Sequence, residues 1–246
     1  MKCNLLTKMT VICLSLFTSV LFAATYYVAT YGTDNGNGSS SSPFPTIQEA
    51  IYYASDGDVI FVYSGTYNES LTITTSLTII GAGSASTFVT GGVSIAADDI
   101  KVDSLSLTGS PSGENTVIWV DGSAVRNNIT ISNCVIDGES DGKYAFYGSD
   151  AISGDLTFDG NVIKNITSWY VMDVNGSSHT VSNHINSVKF TNNEVYHVGG
   201  SIAFRGKFDE PTNSAVISGN TMYDLCGSSC GGWIWAGIEL NNASQV

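Results

Sequence analysis

The chain has 246 residues, 43% of them hydrophobic and 11% aromatic but only 13% charged, which suits a folded all-β or solenoid protein and excludes an intrinsically disordered one. Its formal net charge of −13 makes nucleic acid a poor partner. Proline is scarce at 4 and glycine plentiful at 26, so turns fall to Gly, Asn, Asp and Ser, and long helical periodicity is missing.

Residues 1–24 join Lys2 and Lys8 to an apolar run from Met9 to Phe22 and a small pair, Ala23-Ala24, the pattern of a secretory signal peptide. The run falls short of the roughly 18 to 20 residues that a membrane span needs, and no later segment is apolar enough to span. The expected destination is secreted or cell-surface. Without Lys2 and Lys8 the chain carries seven basic against 22 acidic residues, or −15, which disfavours a polyanionic ligand unless cations or a local basic patch intervene. Cys134, Cys226 and Cys230 remain after cleavage. Cys226 and Cys230 flank Gly-Ser-Ser and could close a small disulfide loop, while Cys134 reads as a buried small residue.

Tyr26 to Gly32 reads as a short strand, and the polar run from Thr33 to Ser42 as a loop whose Asp34, Asn35 and Asn37 are turn formers before they are calcium ligands. Thr46-Ile-Gln-Glu49 is a capping box, in which Thr46 accepts from the Glu49 amide and Glu49 reaches back. It opens one amphipathic helix, Ile47 to about Ala54, with Ile47, Ala50, Ile51 and Ala54 on one face and Asp56-Gly57 as its stop. Such a helix can cover the open first coil of a solenoid. Short β segments follow at Val59 to Val62, Leu71 to Ile73, Leu77 to Ile80, Val93 to Ile95 and Ile100 to Leu107.

From here the chain repeats. Ile129 to Val135, Leu156 to Ile166, Val188 to Val195 and Ala215 to Met222 each read as an alternating strand, a polar corner and a second short strand. Their anchors Asn133, Asn161, Asn193 and Asn220 are separated by 28, 32 and 27 residues, the spacing of a solenoid coil. The expectation is a structural asparagine ladder of these four, with Leu156, Phe158, Ile163 and Ile166 facing the core.

Pro45-Thr-Ile-Gln-Glu-Ala-Ile51, Gly57-Asp-Val-Ile-Phe-Val62, Gly65-Thr-Tyr-Asn-Glu69 and Leu77-Thr-Ile-Ile-Gly81 together resemble the opening of secreted proteins of the pectin lyase-like superfamily. The Asn-anchored coils resemble the repeats of the same group. The resemblance implies an all-β chain folded as a right-handed, single-stranded parallel β-helix with a short N-terminal capping helix, over residues 25–246. It does not choose among lyases, methylesterases, polygalacturonases and non-enzymatic surface proteins. Neither the catalytic stretches of the methylesterases nor the acidic motifs of the polygalacturonases are found. A lyase of this group would need an Arg or Lys base and calcium held by carboxylates. Arg205 and Lys207 are the candidate bases, with Asp173, Asp209, Glu210 and Glu239 beside them, so Ca2+ is a possible cofactor.

A third family of strands stacks Ile118-Trp-Val-Asp121, Phe146-Tyr147, Met172-Asp-Val-Asn175, Ile202-Ala-Phe-Arg205 and Ile238-Glu-Leu-Asn241 in register. Alternation then sends Ile118, Val120, Phe146, Met172, Val174, Ile202, Phe204, Ile238 and Leu240 inward. Trp119, Asp121, Tyr147, Asp173, Asn175, Arg205, Glu239 and Asn241 point outward, either as a solvated sheet face or as a surface on which a sugar chain stacks and hydrogen-bonds. Asp137, Asn165, His197 and Asp224 form another column, read as exposed corner residues, with an acid–base pair at His197 as the alternative.

Asn241 to Val246 resembles the lead into another anchor and no closing segment follows, so a fragment of a longer protein is expected. The sequence therefore points to an exported β-helix that binds or processes polysaccharide, as a lyase or glycoside hydrolase. A non-catalytic, adhesin-like surface protein is the alternative.

Overall fold

The computed structural model describes residues 23–111, 113–148, 152–168, 170–174, 185–205, 214–225 and 238–241, with the backbone alone at 201, 203–205 and 239–241. Among these residues the strands form three sheets of eight, seven and seven strands, every pairing between them parallel, and one α-helix. The chain visits the sheets in turn. Leu77–Gly81 lies in sheet 1, Thr87–Val89 in sheet 2 and Val93–Ile95 in sheet 3, and Ile100–Asp103 returns to sheet 1 beside Leu77–Gly81. This is the parallel β-helix expected from the sequence, its crossovers taking the right hand that twisted parallel strands favour.

Period-two patterning builds the core. Asp58–Val62 and Leu77–Gly81 alternate buried and half-buried positions along their length, because successive side chains leave a strand on opposite faces. Stacking the coils about 4.8 Å apart brings like residues together. Phe146, Phe158 and Phe190 are fully buried, with ring centroids 5.1 and 6.3 Å apart, and Leu156, Ile163 and Ile166 join them in the core.

Most corners after the first coil turn through a left-handed residue. Between sheets 1 and 2 these are Ser104, Asn133, Gly160, Asn192 and Gly219, with φ from +52° to +68°, stacked by the register of the strands before them. Gly and Asn reach this conformation at least cost. The next position in each coil is the ladder. It holds Leu105 and Cys134 in earlier coils and Asn161, Asn193 and Asn220 in later ones, so Cys134 takes the place that spacing alone gives to Asn133. Asn161 Nδ2 donates to Ile131 O at 2.9 Å and its Oδ1 accepts Cys134 N–H at 3.0 Å. Asn193 Oδ1 accepts from Asn161 Nδ2 at 3.0 Å, and Asn220 Oδ1 from Asn193 Nδ2 at 3.1 Å. Asn133 instead sits exposed on the corner and donates to Asp103 at 3.3 Å.

The first coil is closed by the helix Ile47–Tyr53. Ile47, Ala50 and Ile51 are buried against the strands, and Thr46 Oγ1 accepts the Glu49 amide at 3.2 Å. The carboxylate at the start of the helix comes from Glu69, not Glu49: its two oxygens accept the Ile47 and Gln48 N–H groups, each at 2.9 Å. Gln48 then imitates a strand neighbour. Its Oε1 accepts Thr72 N–H at 2.7 Å and its Nε2 donates to Thr72 O at 3.2 Å, covering the edge of Leu71–Ile73. The Pro45-to-Ile51 and Gly65-to-Glu69 motifs thus form one interlocked cap.

Cys134 is buried, and burial pushes its thiol up to about 12. Residues 1–22 of the expected signal peptide 1–24, Cys226 and Cys230 lie outside the described residues. No helix among the described residues is long and apolar enough to cross a membrane.

Candidate functional site

Sheet 3 carries the outward row. Its strands Thr116–Val120, Tyr144–Gly148, Tyr170–Val174, Ser201–Arg205 and Ile238–Asn241 pair in the expected register. Trp119 lies beside Tyr147, Tyr147 beside Asp173, Asp173 beside Ala203 and Ala203 beside Glu239. The inward partners Ile118, Val120, Phe146, Met172 and Val174 are fully buried and Ile202 is 2% exposed. Phe204 and Leu240 are described by backbone alone.

The outward face is not uniformly solvated. Trp119 and Tyr147 are half-buried, whereas Asp173 is 4% exposed. Val117, Ala145 and Val171, which alternate with the inward residues, are buried as well. A carboxyl group this buried on the outer side of a sheet is costly to place unless its surroundings provide for it, and acid–base groups are found in such settings. Trp119 has no hydrogen bond or ring partner among the described residues, while the Tyr144 and Tyr147 rings meet at 5.4 Å. Together they offer aromatic surface and one indole donor beside an acid.

Asp121 belongs to the following turn. Its Oδ1 accepts Ser123 N–H at 3.0 Å, and its Oδ2 accepts Ser123 Oγ–H at 2.6 Å and Arg126 Nη2 at 3.4 Å. The hydrogen bonds from Ser123, helped by Arg126, hold its carboxyl below the usual range. A residue so engaged stabilises the turn and has little left for a ligand. Arg205 stands in register with Asn241, its side chain beyond description, as is that of Glu239. Asn175, Lys207, Asp209 and Glu210 lie outside the described residues.

Arg126 was not among the sequence candidates. Its side chain is 13% exposed and its buried Nε has no partner among the described residues, although it is one of only two arginines in the chain. Scarcity was the available signal; its place in the Asp121-Gly-Ser turn hid it.

The column on sheet 2 differs in kind. Asp137, Lys164, Tyr196 and Tyr223 stand in register, with Lys164 Nζ 3.4 Å from Asp137. The Tyr196 and Tyr223 rings stack at 5.1 Å and 8°, so each covers a face of the other. The Tyr223 hydroxyl donates to Glu194 at 2.7 Å, which pushes its pKa up to about 12. At the next corner the structure brings His197 Nε2 to 2.7 Å from Asp224 Oδ2, both half exposed, while Asn165 donates to Asp137 at 2.9 Å. His197, Asn165 and Asp224 all turn through positive φ.

Among the described residues no three His, Cys, Asp or Glu side chains are grouped as a metal site. Of the carboxylates set beside Arg205 and Lys207, only the Asp173 side chain is described, and Asn37 is engaged in a turn through its contact with Ser39 N–H at 3.0 Å.

No family model and no curated protein matches the chain. Solved structures resemble it in fold. Carrot pectin methylesterase is 13% identical, with 87% of each chain covered and a TM-score of 0.46. A pectin methylesterase mutant in complex with a hexasaccharide is 17% identical, with 80% of this chain and 78% of that one covered and a TM-score of 0.49. A rhamnogalacturonan lyase is 13% identical, with 89% of this chain and 62% of that one covered and a TM-score of 0.41. At these identities the likeness concerns how the chain winds and not its chemistry.

Proposed function

We propose that this is an exported protein that binds or processes polysaccharide through the outer face of sheet 3. The observation that carries this reading is the in-register row of Trp119, Tyr147 and Asp173, in which aromatic surface adjoins a carboxyl group that is 4% exposed. A pyranose ring offers C–H faces to aromatic side chains and hydroxyls to acids and indole donors. In the proposed arrangement Trp119 and Tyr147 seat the chain and Asp173 exchanges a proton with it.

The reaction class follows from which group meets the bond to be broken. As a hydrolase, the protein would use Asp173 to protonate the departing glycosidic oxygen. As a lyase, it would use Arg205 or Lys207 to take the proton beside a uronate carboxylate. Exposure of the wild-type chain to neutral and uronate polysaccharides separates these classes: new reducing ends without unsaturation mark a hydrolase, and unsaturated uronates mark a lyase. Either product should fall at least tenfold in Asp173→Asn. Full turnover in that variant would remove Asp173 from the chemistry.

The non-catalytic alternative draws on the self-contained polar columns. Asp103, Asp137 and Asp159 are each engaged by neighbouring coils, as befits a display scaffold. Glycan binding with no product from any polysaccharide would favour it.

A further inference from the structure

A hollow of about 350 Å³ lies at the other end of the described chain, between the polar loop and the end of the helix, lined by Tyr26, Gly36, Asn37, Phe44 and Tyr53. It is set by backbone. Tyr27 N–H donates to Gly38 O at 2.8 Å, Gly38 N–H to Ser42 O at 3.0 Å and Phe44 N–H to Tyr27 O at 2.9 Å, which fix the loop against the first strand. Gly38 has φ +73°, and a Cβ there would run into Phe44 and Tyr26, so the loop lies directly on the rings.

The lining is aromatic, with one amide. Phe44 and Tyr53 stack at 5.1 Å and 4°, and Tyr26 meets Phe44 at 5.9 Å. Phe44 is buried beneath them, yet Tyr53 remains 54% exposed. Asn37 uses its Oδ1 to accept Ser39 N–H at 3.0 Å, and its Nδ2 has no partner among the described residues. Among the described residues no carboxylate, lysine, arginine or histidine lines the hollow. Its volume is near the lower end of the range for small-molecule pockets, roughly 300 to 1,000 Å³.

We propose that this hollow binds one neutral sugar ring, its C–H face against Tyr53 and Tyr26 and a hydroxyl oxygen accepting from Asn37 Nδ2. A charged sugar would find no counter-ion in the lining, and a purely apolar guest would leave the amide donor unmatched. The site stands apart from sheet 3 and does not depend on the function proposed there. It would give the chain a second grip on a glycan, which raises avidity where both can be engaged.

The test is titration of the full chain with cellotriose, maltotriose, galactotriose and trigalacturonate, followed by ligand-observed NMR and calorimetry. At least one neutral trisaccharide should saturate, and trigalacturonate should bind at least tenfold more weakly. Tyr53→Ala should weaken binding at least tenfold. Asn37→Asp should do the same while retaining the acceptor for Ser39 N–H, and it decides the matter if Tyr53→Ala lowers the Tm. Val216→Ala, at an exposed position on sheet 1, should leave this binding unchanged. No binding of any neutral trisaccharide, or full binding by Asn37→Asp, overturns the proposal. Loss of neutral-sugar binding in Trp119→Ala alone also overturns it, by placing the sugar on sheet 3.

Discussion

Asn133 and Asn161 are the same residue type in equivalent-looking repeats, yet neighbouring positions give them different work. Asn161 is 1% exposed and serves Cys134 N–H and Ile131 O, so Asn161→Ala should leave buried backbone groups unmatched and cost about 3 kcal/mol in urea unfolding. Asn133→Gly, at φ +52° in a column that already holds Gly160 and Gly219, should change stability by less than about 1 kcal/mol. Equal losses would contradict this registration. Asn and Gly are interchangeable at a left-handed corner, so Asn133 passes for a ladder residue in the sequence, and only strand register shows that Cys134 holds the rung. Asp121 misled for a related reason: alternation gives a side chain its direction but does not reveal that Ser123 and Arg126 will claim it.

Asp103 supplies a second test at this scale. Burial raises its pKa, but hydrogen bonds from Ser104, the Lys101 ammonium, Ser132 and Asn133 outweigh it and hold the carboxyl down at about 2, from an ordinary 3.8. A depressed folded-state pKa stabilises the fold above the unfolded value, and this contribution is lost as pH falls from about 4 through 2. The stabilisation is about 2 kcal/mol at neutral pH. Urea unfolding of the wild type and Asp103→Asn from pH 6 to 2.5 should therefore show a shallower acid decline in the variant. Parallel curves would contradict it.

Among the elements, the helix Ile47–Tyr53 shows what sequence reading reaches. Its location, buried face and Thr46 cap were legible because they depend on residues within one turn. The Glu69 clamp and the Gln48 edge cover were not, since they join groups 21 to 24 residues apart. Seven residues make a marginal helix in isolation, so these contacts matter. Glu69→Ala should cost about 1 to 2 kcal/mol and speed hydrogen exchange at the Ile47 and Gln48 amides. Unchanged exchange at both amides would show that the clamp does not hold the helix. On sheet 3 the five strands were legible in register because Ile118, Phe146, Met172, Ile202 and Ile238 mark the same inward position.

Across the whole molecule, a solenoid couples each coil chiefly to its neighbours, so an outward row takes its spacing from the paired strands that carry it. Trp119, Tyr147 and Asp173 rise from strands whose inward residues are buried, which gives the proposed glycan face fixed spacing before any ligand arrives. The burial of Asp173 was not legible, because neither alternation nor composition shows which outward positions become covered. The most direct test is affinity electrophoresis of the full chain in gels containing neutral or uronate polysaccharides, with the wild type compared against Trp119→Ala and Tyr147→Ala. The wild type should be retarded by at least one polysaccharide, and each variant should lose at least tenfold in affinity with its Tm preserved. Full retardation of both variants, or a wild type that no polysaccharide retards, would contradict the assignment of glycan binding to sheet 3.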